Sequence, residues 1–135
     1  MSTTEDFLSI LEEHEIIAAI QKEHPDFGVA FDGDVDRIAF FDEKGTYINS
    51  AVIGALIARY LLMRGIAQKF VYTNFTSKSY LDAITENGGK AYRARVGHAF
   101  IKRLMREKDV DFACEHSAHF DFKSNFYTDS GIITL

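Results

Sequence analysis

The spacing of apolar and polar positions changes along this chain, and each change of period marks a new element. Phe7, Leu8, Ile10, Leu11, Ile16, Ile17 and Ile20 recur at helical spacing, with Thr4 placed to cap the segment and Pro25 and Asp26 to end it. Phe27-Gly-Val-Ala-Phe31 then reads as a short buried strand running into Asp32, and Ile38-Ala-Phe-Phe41 as a second strand closed by the turn Asp42-Glu-Lys-Gly45. The spacing predicts a helix from Asn49 or Ser50 to Arg64, with Gly65 in the left-handed position that follows a helix end. Further on, residues 69–72, 91–94 and 110–113 read as strands and residues 77–86 and 97–108 as helices. The last stretch predicts a short strand at 120–122, a loop, and a helix that begins after Asp129 and is barely entered, so the end looks cut. Alternation of strand and helix predicts an α/β fold in three layers, a mostly parallel sheet with helices on both faces, preceded by a helix and a β-hairpin.

Composition narrows the picture. A chain of 135 residues, 47% of them hydrophobic, buries one core and holds one domain, or a domain with a piece of another. The net charge of −5 and the lack of a Lys/Arg stripe argue against nucleic acid or an anionic membrane as partner and leave room for a small anionic substrate. Cys114 has no second cysteine to pair with, and the first twenty residues carry acids where a secretory leader has a basic start, so a cytoplasmic protein is expected. The longest apolar run, residues 51–58, is far shorter than the roughly 20 residues a membrane-spanning helix needs.

Two loops carry candidate chemistry. Asp32-Gly-Asp-Val-Asp36-Arg37 sets three carboxylates at alternate positions just past an apolar strand, where an extended backbone projects them to one side. Acids this close repel one another unless a cation neutralises them, and an oxygen-only set with open positions suits Mg²⁺ that also takes a phosphate oxygen. A solvated acidic turn is the plain alternative. An EF-hand is excluded, because Arg37 stands where its glycine is required and strands flank the loop. A phosphatase of the haloacid-dehalogenase kind, with Asp32 as nucleophile and Asp34 two residues on, stays open, although Asp36 stands where that motif has Thr or Val. The second loop, Cys114-Glu-His-Ser-Ala-His119, gathers an acid, a hydroxyl and two imidazoles after a strand, where open parallel sheets bind ligands. His98, after Gly97 and at a helix start, is placed to meet a phosphate, though a plain helix start explains it equally.

The order and combination of four stretches resemble the alpha-D-phosphohexomutase family, and within it the bacterial phosphomannomutases. They are Gly28-Val-Ala-Phe-Asp-Gly-Asp-Val-Asp-Arg37, Val96-Gly-His-Ala-Phe-Ile-Lys102 with Met105-Arg-Glu107, Glu115-His-Ser-Ala-His119, and Asp129-Ser-Gly-Ile132. The resemblance implies a piece of a four-domain parent: residues 1–45 as the end of its metal-loop second domain, and residues 46–135 as most of its sugar-binding third domain. It implies net movement of phosphate between O6 and O1 of a mannose or glucose phosphate, by way of a phosphoserine in the first domain. On this likeness Asp32, Asp34 and Asp36 would ligate Mg²⁺, and Arg37 would lie beside the phosphoserine. Glu115 and Ser117 would bind sugar hydroxyls, His119 would assist proton transfer, and Arg95 with His98 would hold the distal phosphate.

The sequence also departs from the family. It contains no Ser-His-Asn-Pro phosphoserine motif, so the chain alone is expected not to turn over and a non-catalytic binding or structural module remains an alternative. Phe75 stands where many members carry Lys or Arg, with Lys78 the candidate substitute, and Cys114 replaces the usual glycine. The strand at 27–31 would lose its upstream neighbours in such a fragment. Its edge then invites pairing with another copy, or the N-terminal helix repacks over it.

Overall fold

The structure, a computed structural model, describes residues 13–135. Thr4, Phe7, Leu8, Ile10 and Leu11 of the expected first helix therefore lie outside the described residues. The rest of that helix is α1, Glu13–Glu23, and it lies over the strand that follows it, β1 (Phe27–Phe31). Ile20 is buried there with Ala39, Phe41 and Ala118, and Ile16 packs beside them. The helix thus covers a face of β1, which remains at the edge of the three-stranded sheet β1-β2-β3.

β1 pairs antiparallel with β2 (Ile38–Asp42), from Phe27 opposite Asp42 to Phe31 opposite Ile38, so the loop 32–37 is the hairpin tip. At the other end of β2 the Asp42 carboxylate accepts from Lys44 N at 2.9 Å and Thr46 N at 2.8 Å, and the chain returns as β3 (Tyr47–Ile48), antiparallel to β2. Two residues are too few to show a period, and β3 was not foreseen. Helix α2 (Ser50–Met63) starts where predicted: the Asn49 side chain accepts from Ala51 N at 2.8 Å. Beyond its end Gly65 takes φ +67°.

The main sheet follows. β4 (Lys69–Tyr72), α3 (Lys78–Glu86), β5 (Lys90–Arg93), α4 (His98–Lys108), β6 (Phe112–Cys114), β7 (Phe120–Phe122), a 3₁₀ turn (Lys123–Asn125), β8 (Thr128–Asp129) and α5 (Gly131–Thr134) succeed one another along the chain. The strand order is β5-β4-β6-β7-β8. The α/β fold is as expected, and β5, β4 and β6 run parallel. The sheet as a whole is mixed, because β7 and β8 join antiparallel. Residues 115–119 between β6 and β7 are too few for the crossover that a parallel pairing needs.

Period-two alternation sorts the sheet into two faces. Phe70 and Phe112 turn toward α2 and α3, packing with Ile53, Tyr80 and Ile84, while Val71 and Ala113 turn toward α4, packing with Ile101 and Met105. Phe112 is ringed by Phe70, Tyr80, Phe120 and Phe122 at centroid distances of 5.2 to 6.3 Å. Each such fully buried aromatic contributes about 2–3 kcal/mol by removal from water. No helix among the described residues is long and apolar enough to cross a membrane.

Candidate functional site

The hairpin tip and the turn after β6 meet. Arg37 forms an isolated antiparallel bridge with His119, and Ile38 N donates to Ala118 O at 3.4 Å. Gly131, at the start of α5, donates its N–H to Val35 O at 3.1 Å. A Cβ on Gly131 would stand 2.9 Å from that same oxygen and 2.9 Å from Phe31 Cδ1, so only glycine allows the approach. This contact steadies Val35, which sits at φ 63°, a region costly for a β-branched residue.

Within the tip, Asp32 is held by Arg37, which donates from its backbone N at 3.2 Å and from Nε at 2.8 Å to the two carboxylate oxygens. Burial pulls the Asp32 carboxyl upward, but Arg37, by its hydrogen bonds and charge, and the neighbouring Asp36 together keep the group below the ordinary aspartate value. Asp32, Asp34 and Asp36 each bring one oxygen to within 4.8 Å of the others, the convergence their alternate spacing predicts. Burial, then the neighbouring Asp32 and Asp34 carboxylates, pushes Asp36 up to about 7. Its Oδ1 is buried without a hydrogen-bond partner. Three crowded carboxylates, one of them with an orphaned oxygen, fit a hard divalent cation of the Mg²⁺ type.

The facing turn opens with Glu115, just past the carboxyl end of β6 and only 7% exposed. Glu115 N donates to His119 O at 2.9 Å, and Ala118, at φ 66°, donates to Glu115 O at 3.3 Å. The Ser50 hydroxyl of α2 donates to His116 O at 3.2 Å and ties the turn to the core. His119 Nε2 lies 3.4 Å from both Asp36 Oδ2 and Asp129 Oδ2, and its Nδ1 lies 2.8 Å from Ser117 Oγ. Burial, helped by Arg37 and His98, holds the imidazole below its ordinary value against the pull of Asp129 and Asp32. A neutral ring facing two carboxylates with Nε2 keeps its proton there, which leaves Nδ1 to accept from Ser117. Burial raises the Glu115 carboxyl above the ordinary glutamate value.

Together these groups line one cavity of about 300 Å³. Eight of the nine residues predicted from sequence face it: Asp32, Asp34, Asp36, Arg37, His98, Glu115, Ser117 and His119. Arg95 does not; its guanidinium lies over the Phe100 ring, 4.3 Å from the centroid. Lys78 is not at the cavity either, pairing instead with Asp82 on the surface of α3 at 3.9 Å, and Phe75 is exposed. Two lining residues, Lys102 and Asp129, were quoted in the family stretches without a role, and they form an ion pair of 3.1 Å. The phosphatase reading is not favoured, because Asp36 adds a third acid to the loop that such a motif does not use and brings it within 4.8 Å of Asp32 and Asp34.

Comparisons with known proteins bear on the family and the fold. The family model described as phosphoglucomutase/phosphomannomutase, alpha/beta/alpha domain III, matches residues 49–135. A phosphomannomutase of Methanocaldococcus jannaschii is 40% identical over 121 residues, covering 90% of this chain and 27% of that protein. A phosphomannomutase of Escherichia coli K12 is 40% identical over 115 residues, covering 85% of this chain and 25% of its own length. Among solved structures, a phosphoglucomutase/phosphomannomutase family protein from Burkholderia thailandensis superposes with a TM-score of 0.83 at 28% identity, over 93% of this chain and 27% of that one. The chain therefore spans about a quarter of the relatives it matches. By the family match over its larger part and by this identity, the chain belongs to the phosphoglucomutase/phosphomannomutase family.

Proposed function

We propose that this chain carries the metal loop and the sugar-recognition turn of a Mg²⁺-dependent mutase that interconverts hexose 6-phosphate and hexose 1-phosphate, with mannose or glucose phosphate as substrate. Residues 1–45 are the end of the metal-loop domain and residues 46–135 the sugar-binding domain. The observation that carries the reading is the Arg37–His119 bridge, which sets the carboxylate loop and the Glu115 turn on one cavity.

In this reading Asp32, Asp34 and Asp36 hold Mg²⁺, whose charge offsets that of a phosphoryl group when bound. Arg37 lies beside the phosphoserine supplied from elsewhere in the protein. Glu115, charged and nearly sealed from water, accepts hydrogen bonds from two sugar hydroxyls, with Ser117 beside it. A hydroxyl pair flips onto similar positions in the two orientations of a hexose phosphate, so one carboxylate serves both. His119 assists proton transfer at the reacting hydroxyl, while His98 and Arg95 meet the distal phosphate. For Arg95 this requires leaving the Phe100 ring. The 135 residues contain no Ser-His-Asn-Pro motif, so the chain alone binds without turning over.

Titration with mannose 1-phosphate and Mg²⁺, followed by amide chemical shifts, tests the proposal. Shifts are expected near both Asp34 and Glu115, and Glu115→Gln should weaken sugar phosphate binding at least about tenfold, the scale of a lost charged hydrogen bond. A chain that shows shifts at neither loop is a non-catalytic module.

A further inference from the structure

Asp121 has no part in the chemistry proposed above, yet it is fully buried, with 0% of its surface exposed. It stands on β7 opposite Ala113 of β6. Phe120 and Phe122 on either side belong to the α2/α3 face, so the Asp121 carboxyl is inserted on the α4 face, among Val71, Ile101, Met105 and Ala113. Both of its oxygens, and Glu115 Oε1, are buried without a hydrogen-bond donor. By the same alternation Glu115, one residue past Cys114, falls on the α4 face with Asp121, and each carboxyl acts on the other's proton affinity.

Two ionised carboxylates offer each other only lone pairs and like charge, whereas one proton between them turns that repulsion into a hydrogen bond. The proton belongs on Asp121. Burial first, then the Glu115 charge, pushes its carboxyl up to about 9, while Glu115 borders the cavity, where His98 and Lys102 favour its ionised form. The charged groups facing Asp121 are Glu115, Asp129 of β8 and Lys102 of α4; Cys114 and Tyr80 feel its charge from the other face of the sheet. The Lys102 ammonium is 4.0 Å from Asp121 and only 3.1 Å from Asp129, so it is chiefly the partner of Asp129.

We infer that Asp121 is a positioning residue whose carboxyl O–H donates to Glu115, holding that carboxylate charged and fixed from behind so that its remaining lone pairs face the substrate hydroxyls. The role of Glu115 in this inference rests on the reading under the proposed function. The proton on Asp121 does not.

Two measurements separate them. In the first, carboxyl ¹³C shifts of the chain labelled at aspartate are followed against pH. Asp121 is expected to titrate near 9, and markedly lower in Glu115→Gln; titration below about 6 in the wild type overturns the inference. In the second, mannose 1-phosphate binding is compared between Asp121→Asn, which keeps an N–H donor, and Asp121→Leu, which has none. Binding within about twofold of wild type in the Asn variant and at least about tenfold weaker in the Leu variant is expected. Wild-type binding should also fall as the pH rises past 9, while Asp121→Asn stays level there. Equal binding by both variants, or parallel pH profiles, overturns the positioning role. Circular dichroism identifies a Leu variant that fails to fold, and the wild-type titration together with the Asn pH profile then decides. Absence of binding by the wild type overturns the proposed sugar site, and with it the task of Glu115, leaving the Asp121 titration to decide the proton.

Discussion

Arg37 works at two levels, its guanidinium neutralising Asp32 at 2.8 Å while its backbone bridges to His119. The side chains of the pair are only 13% and 7% exposed, so removing one member strands a charge out of water. Arg37→Ala should therefore lower stability by about 3 kcal/mol at neutral pH, measured by urea unfolding. The sign of its pH dependence follows from Asp32. That carboxyl sits below its unfolded value of 3.8, so the pair's contribution is complete above 3.8 and is lost as the pH falls through the folded value. The gap between wild type and Arg37→Ala should accordingly narrow at pH 3; a gap unchanged there would mean that Arg37 stabilises the tip by packing alone. Glu115, Ser117, His119 and the three aspartates were legible in the sequence because loops at strand ends collect polar residues for a reason. Asp121 was not. Phe-Asp-Phe reads as a strand with one wet face, and nothing local says that α4 covers that face too.

Among the elements, the packing of α2 on β6 depends on a pairing that neither residue reveals alone. A Cβ on Gly54 would stand 2.5 Å from Cys114 Sγ and 2.9 Å from its Cβ. Cys114 occupies a strand end where relatives were expected to have glycine, and the space for its sulfur comes from Gly54 on the facing helix. Gly54→Ala should then destabilise the chain despite alanine's better helix propensity, by about 1–3 kcal/mol, the usual penalty of overpacking. In the Cys114→Gly background the same substitution should be neutral or stabilising. Additive effects in that double-mutant cycle would show that the two residues do not compete for one space. The long elements were readable because their periods persist: α2 and α4 repeat an apolar stripe over several turns, and Asn49 and Gly65 mark the ends of α2. The two-residue strands β3 and β8 have no period to read. The antiparallel addition of β7 was implicit in the short 115–119 connection, but a run of polar ligand residues does not announce itself as a hairpin turn.

For the whole molecule, the Asp121–Glu115 pair makes global stability depend on a group built for the site. Folding moves the Asp121 carboxyl from an unfolded value of 3.8 to about 9, so between those limits the folded chain binds one proton more than the unfolded one. Stability from this source is complete below 3.8, declines as the pH rises, and levels off above 9. The decline has a slope of about 1.4 kcal/mol per pH unit for each full proton difference. Asparagine has no proton to lose. Asp121→Asn should therefore gain on the wild type steadily from pH 5 to pH 9 and hold a constant advantage beyond it, as read from urea midpoints across that range. A native chain more stable as its Asn variant than as itself is what a site maintained for binding at the expense of the fold should look like. Curves that run parallel would place the ionised carboxylate in the folded chain, and the buried pair would then owe its survival to Lys102.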